Sequence, residues 1–275
     1  MGKAYIFWRD REDAGSGPIM LSRGLLSLAP EQSDPWLVNP PPFDAKTGRF
    51  KTTGRTLTPD QSLELFRTHF PDGFQSPSYL EQERDYKVKA SEYAKAHLSC
   101  EKISEALASG DVESLVAALC KAATLGDMNL LHQHEVMPVR DALKDEAAAR
   151  NYFSGLEVLL RVGRPQQAEF SAYLNGFTRL TERKTKAYTW PVATLLPFLI
   201  APEHFMFLKP RPTQDCAANL SRDLGYQSKP NWSTYERLMR FSCELRDGLL
   251  APLAPQDFID VQSFMWVVAK YGKKK

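Results

Sequence analysis

Asp260, Gln262 and Ser263 stand inside DFIDVQSFMWVVAK, the most apolar helical stretch of the chain. Buried polar groups must be hydrogen-bonded, and a buried carboxylate needs a partner. Lys209 and Arg240 are the cations this reading offers to Asp260. The grouping supports two chemistries. One is a polar network that fixes helix register, the commoner outcome for a buried ion pair. The other is a hydrolase-type enzyme site. There, Lys209 at the end of the apolar FMFL run would reach a phosphate or carboxylate. Asp260 and Gln262 would line the site, and His204, beside Glu203, would act as acid or base.

Several familiar chemistries lack their residues. No G-x-S-x-G turn presents a serine nucleophile. A nuclease core ending in E-x-K fails because Phe207, not a carboxylate, stands two residues before Lys209. Neither G-x-x-x-x-G-K-[ST] nor G-x-G-x-x-G occurs, which argues against a P-loop ATPase and a Rossmann dinucleotide site. His132-Gln133-His134-Glu135 comes nearest to a metal cluster, and H-E-x-x-H is absent. Read as helix, the two imidazoles point about 200° apart and cannot share one ion. No metal and no cofactor is therefore expected.

The other chemistry on offer is contact with a polyanion. Lys46, Arg49, Lys51 and Arg55 alternate with Thr, Gly and Phe50 in a long irregular segment. Such a basic arm can follow a phosphate backbone. Arg179, Arg183, Lys184 and Lys186 form a second basic cluster, and KYGKKK a third. The plain alternative is a solvated charged surface, the usual fate of a charge run. Trp232 and Tyr235, beside Lys229 and Asn231, either stack on a base or belong to the core with Asn231 as a turn residue. The formal charge of +2 gives no global argument for a polyanion. Two function classes stay open: a non-enzymatic binding or adaptor protein with nucleic acid as candidate partner, and the enzyme above. A component of a larger protein complex is a variant of the first.

The elements that must carry these residues read as mainly α, a multi-helix globular domain with a small N-terminal β element. Ala4–Trp8 and Pro18–Leu28 have strand character, and a proline-rich irregular segment follows. Residues 1–75 read as a β-containing appendage, and 76–275 as a helical domain. Thr58-Pro59-Asp60-Gln61 is a capping-box helix start. Ser76-Pro77 opens a longer helix through Leu98, with Tyr79, Leu80, Tyr86, Ala90, Tyr93, Ala94 and Leu98 inward. Its charged residues, Glu81, Glu83, Arg84, Asp85, Lys87 and Lys89, mostly occupy the other faces, and Glu83–Lys87 reads as a modest i, i+4 pair. Further helices are expected around Ile103, over Val112–Leu125, around a break at Pro138, over Ala147–Val162, and over Gln167–Leu180. After the basic connector, Trp190–Ile200 reads as an apolar helix and Phe205–Leu208 as a buried strand ended by Lys209-Pro210-Arg211-Pro212. Thr213 caps the next helix, and Ser233 with Glu236 forms a capping box for another. The last, Pro255–Lys270, is apolar on most sides and hence central. Thinly spread Cys100, Cys120, Cys216 and Cys243, with no C-x-x-C spacing, fit a reducing, cytoplasmic setting. No signal-peptide pattern and no run near the ~20 apolar residues of a membrane span is read.

ERDYK, WPVATLLPFL, FMFLKP, PNWSTY and IDVQSFMWV together resemble a pattern in a family of uncharacterised bacterial proteins. The resemblance covers roughly Phe70 to Lys270. It implies one continuous unit over that span and no catalytic residue.

Overall fold

The computed structural model of the chain describes residues 57–125, 130–177 and 187–272. The expected N-terminal β element lies outside them, as do Lys46, Arg49, Lys51, Arg55, Arg183, Lys184 and Lys186. Within the described residues the chain is helical.

Local chemistry sets most helix starts. Thr58 Oγ1 accepts from the Gln61 N–H and Gln61 Oε1 from the Thr58 N–H, so a capping box opens α1 (Pro59–His69) as expected. Pro77–Tyr79 begins a helix that widens into a π turn over Leu80–Arg84 and continues as α2 (Asp85–Leu98). Ser99 caps α3 (Cys100–Ser109). Gly110 follows at φ +83°, a left-handed turn glycine tolerates, and Asp111 caps α4 (Val112–Ala123). Then come α5 (Gln133–Ala142), α6 (Glu146–Arg161) and α7 (Gln167–Asn175). The last third holds α8 (Trp190–Ile200), α9 (Pro210–Asn219), α10 (Trp232–Glu244), a second π turn at Leu245–Leu249, and α11 (Phe258–Tyr271).

Two apolar helices form the interior. Every residue of α8 from Trp190 to Leu199 is buried, and so is α11 from Phe258 to Ala269 except half-exposed Trp266. Their remaining faces are taken by neighbours: α2 runs against α8, and α9 against α11. α1 packs on α11 as well, with the Phe66 ring 5.6 Å from that of Phe264 and in contact with Phe70, Phe74 and Tyr79. Residues 57–75 thus share the core of the helices that follow. α6 and α7 approach closely because Gly155 has no side chain; a Cβ there would lie 3.2 Å from the Tyr173 Cα.

Four local expectations are corrected. Phe205–Leu208 is buried and extended but has no partner strand among the described residues. Side chains replace the ladder: Tyr235 Oη accepts from the Met206 N–H and donates to the Met206 carbonyl, both at 3.1 Å, and Thr194 Oγ1 accepts from the Leu208 N–H at 2.9 Å. The Lys209-Pro210-Arg211-Pro212 run starts a helix, since a first-turn proline gives up no hydrogen bond, and Thr213 lies buried inside α9. Asn231, not Ser233, caps α10, its Oδ1 accepting from the Thr234 N–H at 2.9 Å. Pro138 is carried within α5 and does not break it. Among the described residues, no helix is long and apolar enough to cross a membrane.

The side-chain ladder makes a test. Thr194→Val keeps shape but leaves the buried Leu208 N–H without an acceptor. A stability loss of about 1–3 kcal/mol in urea denaturation is expected. An unchanged midpoint at unchanged slope contradicts this account of the extended segment.

Candidate functional site

The polar residues of α11 meet their partners on the π turn. Glu83 and Lys87, four and eight residues after Tyr79, fall on the same face of an ordinary helix, whereas Arg84, five residues on, would point away. The π turn over Leu80–Arg84 adds a residue to one turn and brings Arg84 round, so that Glu83, Arg84 and Lys87 all face the core. The buried stripe that results is Tyr79, Glu83, Arg84, Lys87, Ala90, Ser91, Ala94 and Leu98, with Tyr86 and Tyr93 only half-buried at its flanks.

Asp260 is wholly buried. Its Oδ1 accepts from the Tyr79 hydroxyl at 2.5 Å and from Arg84 Nη1 at 2.6 Å; its Oδ2 accepts from the Gln256 N–H at 2.7 Å. Arg84 also grips Asp257 through both terminal nitrogens, at 3.1 and 2.9 Å, and donates to Gln256 Oε1 at 2.9 Å. Asp257 has a second duty, capping α11 through the Ile259 N–H. One guanidinium thereby holds the carboxylates on both sides of the helix start, in the planar geometry that arginine suits. Beside it, Lys87 Nζ donates to Glu83 Oε2 at 3.0 Å and to Ser263 Oγ at 2.7 Å, and Ser263 donates to the Ile259 carbonyl.

Burial dominates the electrostatics. It raises the Asp260 pKa, while Tyr79, the Gln256 N–H and Arg84 pull it back. It raises the Tyr79 phenol well above its ordinary value, with the Asp260 charge adding to the effect. Burial works against the Arg84 charge too, but Asp257 and Asp260 outweigh it and hold the guanidinium above its usual range. It lowers the Lys87 pKa, against the opposing pull of Glu83.

The residues singled out by the sequence are placed differently from one another. Asp260 and Ser263 belong to the network. Gln262 is buried on the same helix, and its Oε1 has no hydrogen-bond partner among the described residues. Lys209 is half-buried at the start of α9, its Nζ 5.7 Å from the Phe207 ring centroid. Burial lowers its pKa against the pull of Glu135 and Glu83, and its charge acts on Lys87. It does not ion-pair with Asp260. Arg240, the other offered partner, is exposed. His204 is exposed in the turn after α8. His132 precedes α5 instead of lying within it, so its ring stacks on that of His134 with centroids 5.3 Å apart, not on opposite faces. Among the described residues, no three His, Cys, Asp or Glu side chains gather as a metal site. Trp232 is half-buried, 5.9 Å from the Phe170 ring.

Tyr79 faces inward and Glu83–Lys87 forms an i, i+4 pair, as the sequence indicates, but Glu83, Arg84 and Lys87 are buried instead of lying on outer faces, and the roles of Arg84 and Asp257 were not read from the sequence. The signal for the buried face was spacing: Glu83, Lys87, Ala90, Ser91 and Ala94 recur at helical intervals in line with Tyr79. The charges on that line disguised it as an outer face.

The network has a measurable consequence. Arg84→Met leaves the buried Asp260 charge, and the half-buried Asp257 charge beside it, without their cation, a loss of about 3–5 kcal/mol near neutral pH. The variant's Asp260 pKa then rises further above the ordinary carboxylate value of about 3.9. A raised acid contributes stability that is present below the unfolded value and lost as pH rises through the folded one. The deficit of Arg84→Met in denaturant melts therefore shrinks toward pH 4 and grows toward pH 7. A deficit that is constant with pH contradicts the assignment.

Comparison with protein-family models, curated proteins and solved structures finds no match, so the chain's own residues carry the functional reading.

Proposed function

We propose that the chain is a non-enzymatic binding protein that contacts nucleic acid through its basic segments. The observation that carries this reading is a corner of the fold. The Leu57 N–H donates to the Asn219 carbonyl at 2.6 Å, and Asn219 Nδ2 donates to the Val268 carbonyl at 3.1 Å. At Gly272 a Cβ would lie 2.7 Å from Asn219 Nδ2 and 3.1 Å from Leu57 Cδ1. Leu57 and Gly272 thus flank one asparagine. In sequence, Arg55 stands two residues before Leu57, and Lys273-Lys274-Lys275 follows Gly272 directly. Covalent connectivity starts two basic segments from the same corner, and consecutive Cα atoms are only about 3.8 Å apart. Cations that neutralise a phosphate backbone release its counterions.

The other basic segment has a defined base. Phe177 and Tyr188, on either side of residues 178–186, stack with ring centroids 5.2 Å apart. Arg183, Lys184 and Lys186 belong to a connector whose ends are held together. The binding reading is favoured over the hydrolase because Asp260, which would line that site, is buried with both oxygens already engaged, while His204, its acid or base, is exposed in the turn after α8.

Fluorescence anisotropy with mixed-sequence DNA and RNA oligonucleotides, titrated over salt, tests the reading. Binding at low salt that weakens linearly in log–log form is expected. Replacing Lys46, Arg49, Lys51 and Arg55 with serine lowers affinity and reduces the slope by about one for each phosphate that is no longer neutralised. Neutralising Lys102 and Lys144, which sit in surface ion pairs with Glu105 and Asp141, leaves both unchanged. Absence of binding at low salt overturns the proposal.

A further inference from the structure

The same corner carries a built aromatic notch. Tyr271 is one of three large apolar side chains that remain exposed among the described residues, with Met137 and Val158, and the one set among rings and a cation. Its ring lies on His69, centroids 3.8 Å apart, and His69 is held by its Nδ1–H donating to the Leu65 carbonyl at 2.9 Å. Half-exposed Trp266 stands nearly perpendicular to Tyr271, at 85° with centroids 6.0 Å apart. Exposed Lys270 places its Nζ 4.2 Å from the Trp266 centroid and 4.9 Å from that of Tyr271.

Two perpendicular rings make an L: a flat group laid on one ring meets the other along its edge. The Lys270 ammonium sits in that angle, attracted by both π faces. It is the tip of a long flexible side chain and can leave the rings for a phosphate. A planar aromatic ligand with an attached anion satisfies rings and cation together, and a nucleotide of a polynucleotide is such a ligand. In a duplex each base has both faces covered by its neighbours. An unpaired base has a free face to stack, and stacking of this kind accepts any base.

We infer that the Trp266–Lys270–Tyr271 notch takes one unpaired base of a single-stranded nucleic acid while Lys270 contacts the adjoining phosphate. The inference rests on the nucleic-acid reading above and specifies the strand state of the ligand. It also divides the labour: the basic segments supply attraction without base preference, and the notch supplies the preference for single strands.

The test compares four fluorescein-labelled probes on the intact chain: dT20, U20, an abasic backbone of equal length, and a 20-base-pair duplex. The wild type is expected to bind dT20 and U20 more tightly than the abasic strand or the duplex at matched salt. Tyr271→Ala weakens dT20 binding about tenfold. It leaves abasic binding unchanged, so a general loss of fold is distinguishable from loss of the notch. Tyr271→Phe keeps the ring and retains wild-type dT20 binding. Equal binding of dT20 and the abasic strand overturns the inference, as does a Tyr271→Ala variant that binds dT20 like wild type. If the duplex alone binds, the inference falls and the nucleic-acid reading stands. If no probe binds at low salt, both fall.

Discussion

The grip of Arg84 on Asp257 and Asp260 is the constraint on which the rest of the structure depends. α11 is apolar almost all round, and apolar contact is nondirectional, so hydrophobic burial alone leaves its rotation and axial position weakly determined. A carboxylate with one cation, one phenol and one backbone donor in reach is satisfied in one placement only. Breaking such a buried pair costs far more than the pair itself contributes, because the surviving charge has nowhere to go. The network therefore acts mainly by penalising every other register of the central helix.

Fixing α11 fixes its neighbours. α9 lies along it, joined where Asn219 meets the Val268 carbonyl, and α1 packs on it through Phe66 and Phe264. α2, which supplies Arg84 and Lys87, also lies along α8, with Ser91 donating to the Leu199 carbonyl near the end of that helix. The extended segment between α8 and α9 needs no sheet because Thr194 and Tyr235 satisfy its backbone. The corner at Leu57, Asn219 and Gly272 is a product of the same packing. Its position relative to Trp266 and Tyr271 is set by the turn of α11 that brings both rings outward while Asp260 and Ser263 face in.

The α architecture was legible because it rests on local rules: capping residues, glycine stops, and apolar runs at helical spacing. α8 and α11 declared themselves by composition alone. The polar residues of α11 could be read as needing partners, but not which ones. Arg84 lies 176 positions from Asp260, and only the π turn brings it inward. A π turn leaves no sequence mark comparable to a cap, so Arg84, displaced by it, looks like a surface charge. Phe205–Leu208 misled for a related reason. An apolar run flanked by prolines reads as a strand, and whether side chains or a ladder will satisfy its backbone is decided by tertiary contacts. The notch was hidden at the end of α11, since Trp266 reads as one more core residue and Tyr271 as part of the basic KYGKKK tail until the helix's rotation is known.

Whether the Arg84 grip holds α11 in place can be read from native-state hydrogen exchange on the amides from Val261 to Val268. In the wild-type chain these amides are expected to exchange only through global unfolding, at the free energy found by denaturant, and in Arg84→Met through a cheaper local opening. Rapid exchange of α11 in the wild-type chain, or an Arg84→Met chain whose α11 stays at the global limit, would contradict this role for Arg84.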